Sequence, residues 1–333
     1  MVSHPATKCS LSSRGVVRLS ARHCTFVFTM VATMVVVSSQ VAFAATPTAV
    51  IARKGVSEIQ PSASDDYVVW SQNSAEHPRH FNSYVTTSGE RKIRLNEAGT
   101  MSFAAGIEGP LVLYQSEGPK GSDLRLYDLT RGQRTNPGTT VNTKYVEYQP
   151  NISTEHYFFG RGKFWGASPW ARLILYDRST GRSRVVAEMD PRRGYIDSNQ
   201  VNGDWVVWER CHFGDDRYFN CDVFRYQIST RDTLRLPNPG KQQYGSSVTA
   251  NGTVYFLRTG VSDYWRCGAG TKIIRHPVDG PETVIASLAR GRDAYATFSL
   301  EGAYDTASIY FDRRICKQGE IGDIFKVEDA LAT

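Results

Sequence analysis

The sequence predicts an all-β chain, a six-bladed β-propeller of four-stranded blades whose ring is closed by its own N-terminal strand. Three observations predict it: a recurring apolar strand, a hairpin turn that follows it at fixed register, and two chain ends that complement each other. The strand recurs as Tyr67–Trp70, Leu111–Tyr114, Tyr157–Phe159, Trp205–Trp208, Val254–Leu257 and Ile309–Phe311, at spacings of 44, 46, 48, 49 and 55 residues. β-Branched and aromatic residues in runs this short favour strands over helices, and a period in this range marks a repeat architecture.

A hairpin follows each of the first five apolar strands. Ser83–Val85 turns at Thr87-Ser88-Gly89, Leu126–Asp128 at Thr130-Arg131-Gly132, and Leu175–Asp177 at Ser179-Thr180-Gly181. Phe224–Tyr226 turns at Ser229-Thr230-Arg231, and Ile273–Arg275 at Asp279-Gly280. Glycine supplies the positive φ such turns need; Arg231 is the exception. Ahead of each apolar strand lies a weaker one of small and polar residues: Gln60–Ala63, Ser102–Ala105, Pro150–Ile152, Asn199–Val201, Ser246–Val248 and Thr297–Leu300. Such residues suit an innermost strand, where blades converge and room is short. Four strands per unit is the plan of a propeller blade.

The sixth unit lacks a fourth strand after Gly322–Val327, whereas Ala49–Ala52 precedes the first unit as a surplus strand resembling Thr283–Ala286. Set as the outer strand of the last blade, that segment covers an otherwise bare edge and closes the ring.

Composition narrows the function classes. Four of the 39 basic residues, Lys8, Arg14, Arg18 and Arg22, lie in a leader without an acid, leaving 35 against 33 acidic residues and a mature net charge of about +2. Such a balance argues against a nucleic-acid binder, which needs a clustered basic surface. The basic stretch, the apolar centre at Phe26–Val37 and Ala42-Phe43-Ala44 read as a secretion signal cleaved after Ala44. The expected organisation is a signal over residues 1–44 and one propeller domain over 45–333, secreted or periplasmic, monomeric and without stable membrane insertion once cleaved.

Units of the form apolar-apolar-Trp, variable loop, Leu-Tyr-Asp-x-x-Thr-Gly, apolar strand resemble the TolB-like six-bladed propellers and their PD40-type repeats. Trp205–Trp208 followed by Phe224–Leu236, together with Leu124–Gly132, carry the likeness, which spans roughly residues 48 to 330. The resemblance implies an exported propeller that binds other molecules, often proteins of the cell envelope. The helical N-terminal domain of TolB itself is not expected here, so that protein's partners are not carried over. The Gly-His and Trp-Asp pairs of WD40 repeats and the double glycines of kelch repeats are missing.

Cys9 and Cys24 leave with the leader, and the mature chain keeps Cys211, Cys221, Cys267 and Cys316. In an oxidising compartment these are expected to pair as Cys211–Cys221, across one hairpin of blade four, and Cys267–Cys316, between blades five and six. The loops between second and third strands are long and aromatic. They offer Phe164, Trp165 and Trp170 in blade three and Tyr264 and Trp265 in blade five. Tyr148, Tyr195, Tyr244 and Tyr295 recur ahead of the innermost strands, with Ile59 and Met101 in the corresponding places. Aromatic rings with polar edges suit sugar or peptide recognition, while a recurring tyrosine at blade junctions equally suits packing. The candidate ligand contacts are Trp165, Trp170, Trp265, Tyr264, Phe164, Tyr195 and Tyr244.

Catalytic motifs are weaker. His77-x-x-His80 has metal-like spacing but holds Pro78 and no placed third ligand, so no metal or cofactor is expected. Asp215-Asp216 reads as solvated loop acid, and Arg192, Arg193, Arg290 and Arg292 as surface charge near the channel mouth. No Gly-x-Ser-x-Gly, P-loop or dinucleotide fingerprint occurs. The sequence therefore points to a non-enzymatic propeller binding an envelope protein or glycan. The alternatives are a glycan-active hydrolase or lyase on the same scaffold, and a purely structural role.

Overall fold

Turns rich in Gly, Asp, Ser and Thr cut the chain into short strands, and a computed structural model shows how these pair. It describes residues 46–53, 55–73, 77, 80–87, 92–118, 121–213, 219–259, 271–288, 293–301, 307–315 and 322–329. The proposed leader, the Asp215-Asp216 pair, Arg290, Arg292, Tyr264, Trp265, Cys267 and Cys316 lie outside the described residues. One compact unit runs from Ala42 to Thr333.

The strands form six four-stranded antiparallel sheets, each with consecutive strands side by side except at the closure. Blade one holds β2 (Glu58–Ser64), β3 (Tyr67–Gln72), β4 (Asn82–Thr87) and β5 (Ile93–Arg94). Blade two holds β6 (Met101–Glu108), β7 (Leu111–Gly118), β8 (Gly121–Asp128) and β9 (Gln133–Thr135). Blade three holds β10 (Val146–Ile152), β11 (His156–Lys163), β12 (Trp170–Asp177) and β13 (Ser183–Met189). Blade four holds β14 (Gly194–Asn202), β15 (Trp205–Phe213), β16 (Phe219–Gln227) and β17 (Thr233–Arg235). Blade five holds β18 (Gln242–Val248), β19 (Val254–Thr259), β20 (Thr271–His276) and β21 (Thr283–Leu288). Blade six holds β22 (Asp293–Glu301), β23 (Ala307–Ile315), β24 (Gly322–Asp329) and, from the other end of the chain, β1 (Thr48–Ile51).

β1 pairs antiparallel with β24, Thr48 opposite Lys326, Ala49 opposite Phe325 and Ile51 opposite Ile324. The predicted closure is the observed one. Ile51 also packs on the apolar cluster of Ala63, Val68, Trp70, Tyr310 and Ile324, which joins blade six to blade one. Comparable clusters join every other pair of neighbouring blades. Their centres are the recurring apolar strands: Trp70, Tyr114, Phe158, Phe159, Trp208, Phe256 and Phe311 are almost fully buried.

The turn motif explains itself structurally. Asp177 Oδ1 accepts the backbone N–H groups of Ser179 and Thr180 at 2.8 and 3.0 Å and the Ser179 hydroxyl at 2.7 Å. Asp128 does the same for Thr130 and Arg131. These Asx-type bonds hold the hairpin turn, so Leu-Tyr-Asp-x-x-Thr-Gly is a folding signal rather than a ligand signal.

Every innermost strand carries a bulge at the same height, where the ladder to the second strand shifts register. In blades one, three and five the bulge residue has positive φ: Gln60 at 54°, Gln149 at 46° and Gly245 at 56°. The bulges turn main-chain groups toward the neighbouring blade. Asn151 Nδ2 then donates to Ser198 O, Asn199 Nδ2 to Ser246 Oγ, and Gln200 Oε1 accepts from Val248 N. Blades approach so closely here that a Cβ on Gly106 would lie 2.6 Å from Asn151 Cα. Small innermost residues are thus a steric requirement of the ring.

Candidate functional site

Loops between second and third strands open at the same end of the ring as the connections that enter the innermost strands. At that end blade three is the most aromatic part of the described residues. Trp165, in the β11–β12 loop, is 76% exposed. Its neighbour Phe164 meets it edge-on at 6.1 Å and leans on Tyr148 at 5.6 Å. Trp170 opens β12 and meets Tyr145, in the connection from blade two, edge to face at 4.8 Å.

Below this pair lies a cavity of about 290 Å³ lined by Tyr145, Arg161, Trp170, Arg172, Ile174, Ser183, Arg184 and Val185. Alternation along the strands explains its wall, because Trp170, Arg172 and Ile174 are spaced two apart on one face of β12. Arg161 sits directly across the ladder from Arg172. The Arg172 guanidinium lies 4.8 Å from the Trp170 ring, and its Nε donates to Glu188 at 2.9 Å. Arg161 is held by Glu147 at 2.9 Å and by the carbonyl of Val141 at 2.6 Å.

The other predicted contacts are distributed differently. Tyr244 is 2% exposed, packed in the cluster shared by blades four to six. Tyr195 stands opposite Cys211 and places its hydroxyl 3.8 Å from Cys221 Sγ. The expected Cys211–Cys221 disulfide is present, joining residues directly opposite on β15 and β16. Its expected companion, Cys267–Cys316, falls outside the described residues, as do Tyr264 and Trp265. Arg192 is clamped on Asp190, with contacts as short as 2.6 Å. His80 N donates to His77 O at 3.0 Å, and no three potential metal-binding side chains gather among the described residues.

The ladder also revises the tyrosine ring. Ile59, Phe103, Tyr148, Ser198, Tyr244 and Tyr295 are the last paired residues before each bulge. Counting along the chain had grouped Met101 and Tyr195 with this set. Met101 lies two residues and Tyr195 three residues ahead of that position. Tyr148 behaves as a packing residue: its hydroxyl donates to Ile196 O of the next blade, and burial raises its pKa.

In blade four the residue just before that position is an acid, Asp197, as Glu58 and Glu147 are in blades one and three. The residue directly opposite is a second acid, Glu209. The two carboxyl groups are hydrogen-bonded to each other; Gln149 also bonds Asp197, and Gly245 N donates to Glu209 at 2.8 Å. Burial raises both pKa values, and the neighbouring Asp197 charge raises Glu209 further. Two such acids share a proton rather than ionise together. Sequence reading missed this pair; its distinguishing feature is Glu209, which stands where blades one and three place Gln72 and Arg161.

Solved structures place the architecture among known folds. An oligogalacturonate lyase in complex with manganese superposes with a TM-score of 0.52 at 9% identity, covering 86% of this chain and 96% of that one. The β-propeller domain of the Trilobed protease from Pyrococcus furiosus gives 0.50 at 10% identity, covering 84% and 96%. TolB from Acinetobacter baumannii gives 0.48 at 11% identity, covering 83% and 80%. The shared property is the propeller fold. The Pyrococcus domain is described as having an open velcro topology, whereas β1 and β24 are hydrogen-bonded here. No protein-family model and no curated protein matches the chain.

Proposed function

We propose that this chain is an exported, non-catalytic, monomeric binding propeller that recognises a cell-envelope glycan through the loop end of blade three. The observation that carries this reading is Trp165, 76% exposed, beside the edge-to-face pair of Tyr145 and Trp170. A tryptophan left in water forgoes a large hydrophobic gain, and flat indole faces offer the apolar underside of a sugar ring a stacking surface. Export is supported by the basic and apolar leader ending in Ala42-Phe43-Ala44 and by a disulfide, which persists in oxidising compartments.

A glycan-active enzyme is the competing reading, and Asp197 with Glu209 is its natural centre among the described residues. Their geometry disfavours glycoside hydrolysis. Carboxyl groups in direct hydrogen bond leave no room for a scissile bond, which needs a separation of about 5 Å or more. Buried bonds to Gln149 and Gly245 make the pair a strut between blades three, four and five.

The test is capture of envelope polysaccharide and envelope protein fractions on the immobilised mature chain, beside a Trp165→Ala/Trp170→Ala variant. Capture of protease-resistant material is expected, weakened about tenfold in the variant by loss of two aromatic contacts. A folded variant that captures the same material equally well contradicts the assignment of this face. Capture abolished by protease but not by glycosidases replaces glycan with protein.

A further inference from the structure

We propose that the cavity on the flank of blade three holds a uronic-acid residue, so that the glycan recognised is an acidic one. This rests on the glycan-binding reading above and specifies its chemistry.

The cavity exists because neighbouring blades end differently. Blade two finishes in a three-residue outer strand, Gln133–Thr135, and blade three in a seven-residue one, Ser183–Met189. The core between these blades, built on Leu113, Leu124, Phe159 and Ile174, therefore gives way outward to an uncovered stretch of blade three. Ile174 belongs both to that core and to the cavity lining.

Three arginines and no acid line the cavity. Glu147 and Glu188 pair with Arg161 and Arg172 from outside the lining. Arg161 is a fixed charge, its side chain 13% exposed. Arg172 is poised differently. Glu188 binds its Nε and Trp170 supports its face, while its two terminal nitrogens have no partner among the described residues. Those nitrogens form the fork that grips a carboxylate through two parallel hydrogen bonds. Arg184 donates to Ile228 O at 3.1 Å and adds positive charge at the far side. Tyr145 and Trp170, edge to face, supply the aromatic wall.

Size favours a sugar over an extended peptide. About 290 Å³ lies at the small end of the range for small-molecule pockets, enough for one ring with its substituents. One aromatic wall, one free guanidinium fork and two flanking positive charges match a pyranose that carries a carboxylate at its edge.

Calorimetric titration of the mature chain with oligogalacturonate, its carboxyl-reduced neutral counterpart and polyglutamate tests the proposal. Circular dichroism would verify that Arg172→Gln and Trp170→Ala remain folded. Oligogalacturonate should bind the wild type at least about tenfold more tightly than the neutral form. Arg172→Gln should abolish that preference and leave the neutral affinity unchanged; Trp170→Ala should weaken both. Equal binding of the two oligosaccharides, unaffected by Arg172→Gln, overturns the inference and leaves glycan binding standing. Preference for polyglutamate overturns both, and failure of the wild type to bind either oligosaccharide, with envelope polysaccharide still captured, overturns the inference alone.

Discussion

At the scale of single residues, Asp197 and Glu209 impose a pH dependence whose sign follows from their shifts. Burial raises Asp197, and burial with the Asp197 charge pushes Glu209 up to about 8. A raised carboxyl pKa favours the protonated form in the folded state. The resulting stability is fully present below the unfolded-state value near 4 and is lost as pH rises through the folded-state value. The wild-type Tm should therefore fall by on the order of 5 °C between pH 5 and pH 9. Glu209→Gln, which keeps an amide able to bond Asp197 and an oxygen able to accept from Gly245, should flatten that decline; an equally steep decline in the variant refutes the shared proton. The pair was hidden because sequence reading aligned units on their tyrosines. Ladder register, which sets what faces what, is a property of two strands together, and Tyr195 lies three residues from the position it was assigned. Trp165 was legible, because a tryptophan amid Gly, Ala, Ser and Pro in a loop has few residues to pack against.

At the scale of strands, closure was the most legible element. Ala49–Ala52 is apolar, lies before the first unit and matches a vacancy in the last, and the structure pairs it with β24. A second tie supports that blade: Asp329, at the end of β24, accepts from the buried Tyr255 hydroxyl at 2.5 Å and meets Arg275 at 3.2 Å, both in blade five. Deleting residues 46–51 should lower the urea midpoint and yield dimers on gel filtration, since it bares the edge of β24 for intermolecular pairing. An unchanged midpoint with a monomeric profile contradicts closure by this strand. The bulges were less legible. Gln60-Pro61 and Gln149-Pro150 share a dipeptide at the bulge, yet blades two, four, five and six reach the same shift with other residues, so no single local signature marks it.

At the scale of the whole molecule, the ring sets where the proposed recognition face lies. Apolar clusters join all six neighbouring blades, so loops stand on a rigid frame. Exposed apolar residues of the outer strands, Val50, Ile93, Val185, Leu234 and Val284, fall in five different blades. Scattered singly, they carry no broad contact patch. The cavity was not legible in the sequence, because it depends on one blade ending earlier than the next and on three arginines brought together from β11, β12 and β13. The central claim is that ligand meets the protein on blade three. Hydrogen–deuterium exchange of residues 45–333, with and without any glycan that the capture experiment yields, tests it most directly. Protection is predicted in peptides spanning 140–148, 161–172 and 183–188; protection confined to the innermost strands of blades four and five, or to the opposite turns at 128–132 and 177–181, would contradict it.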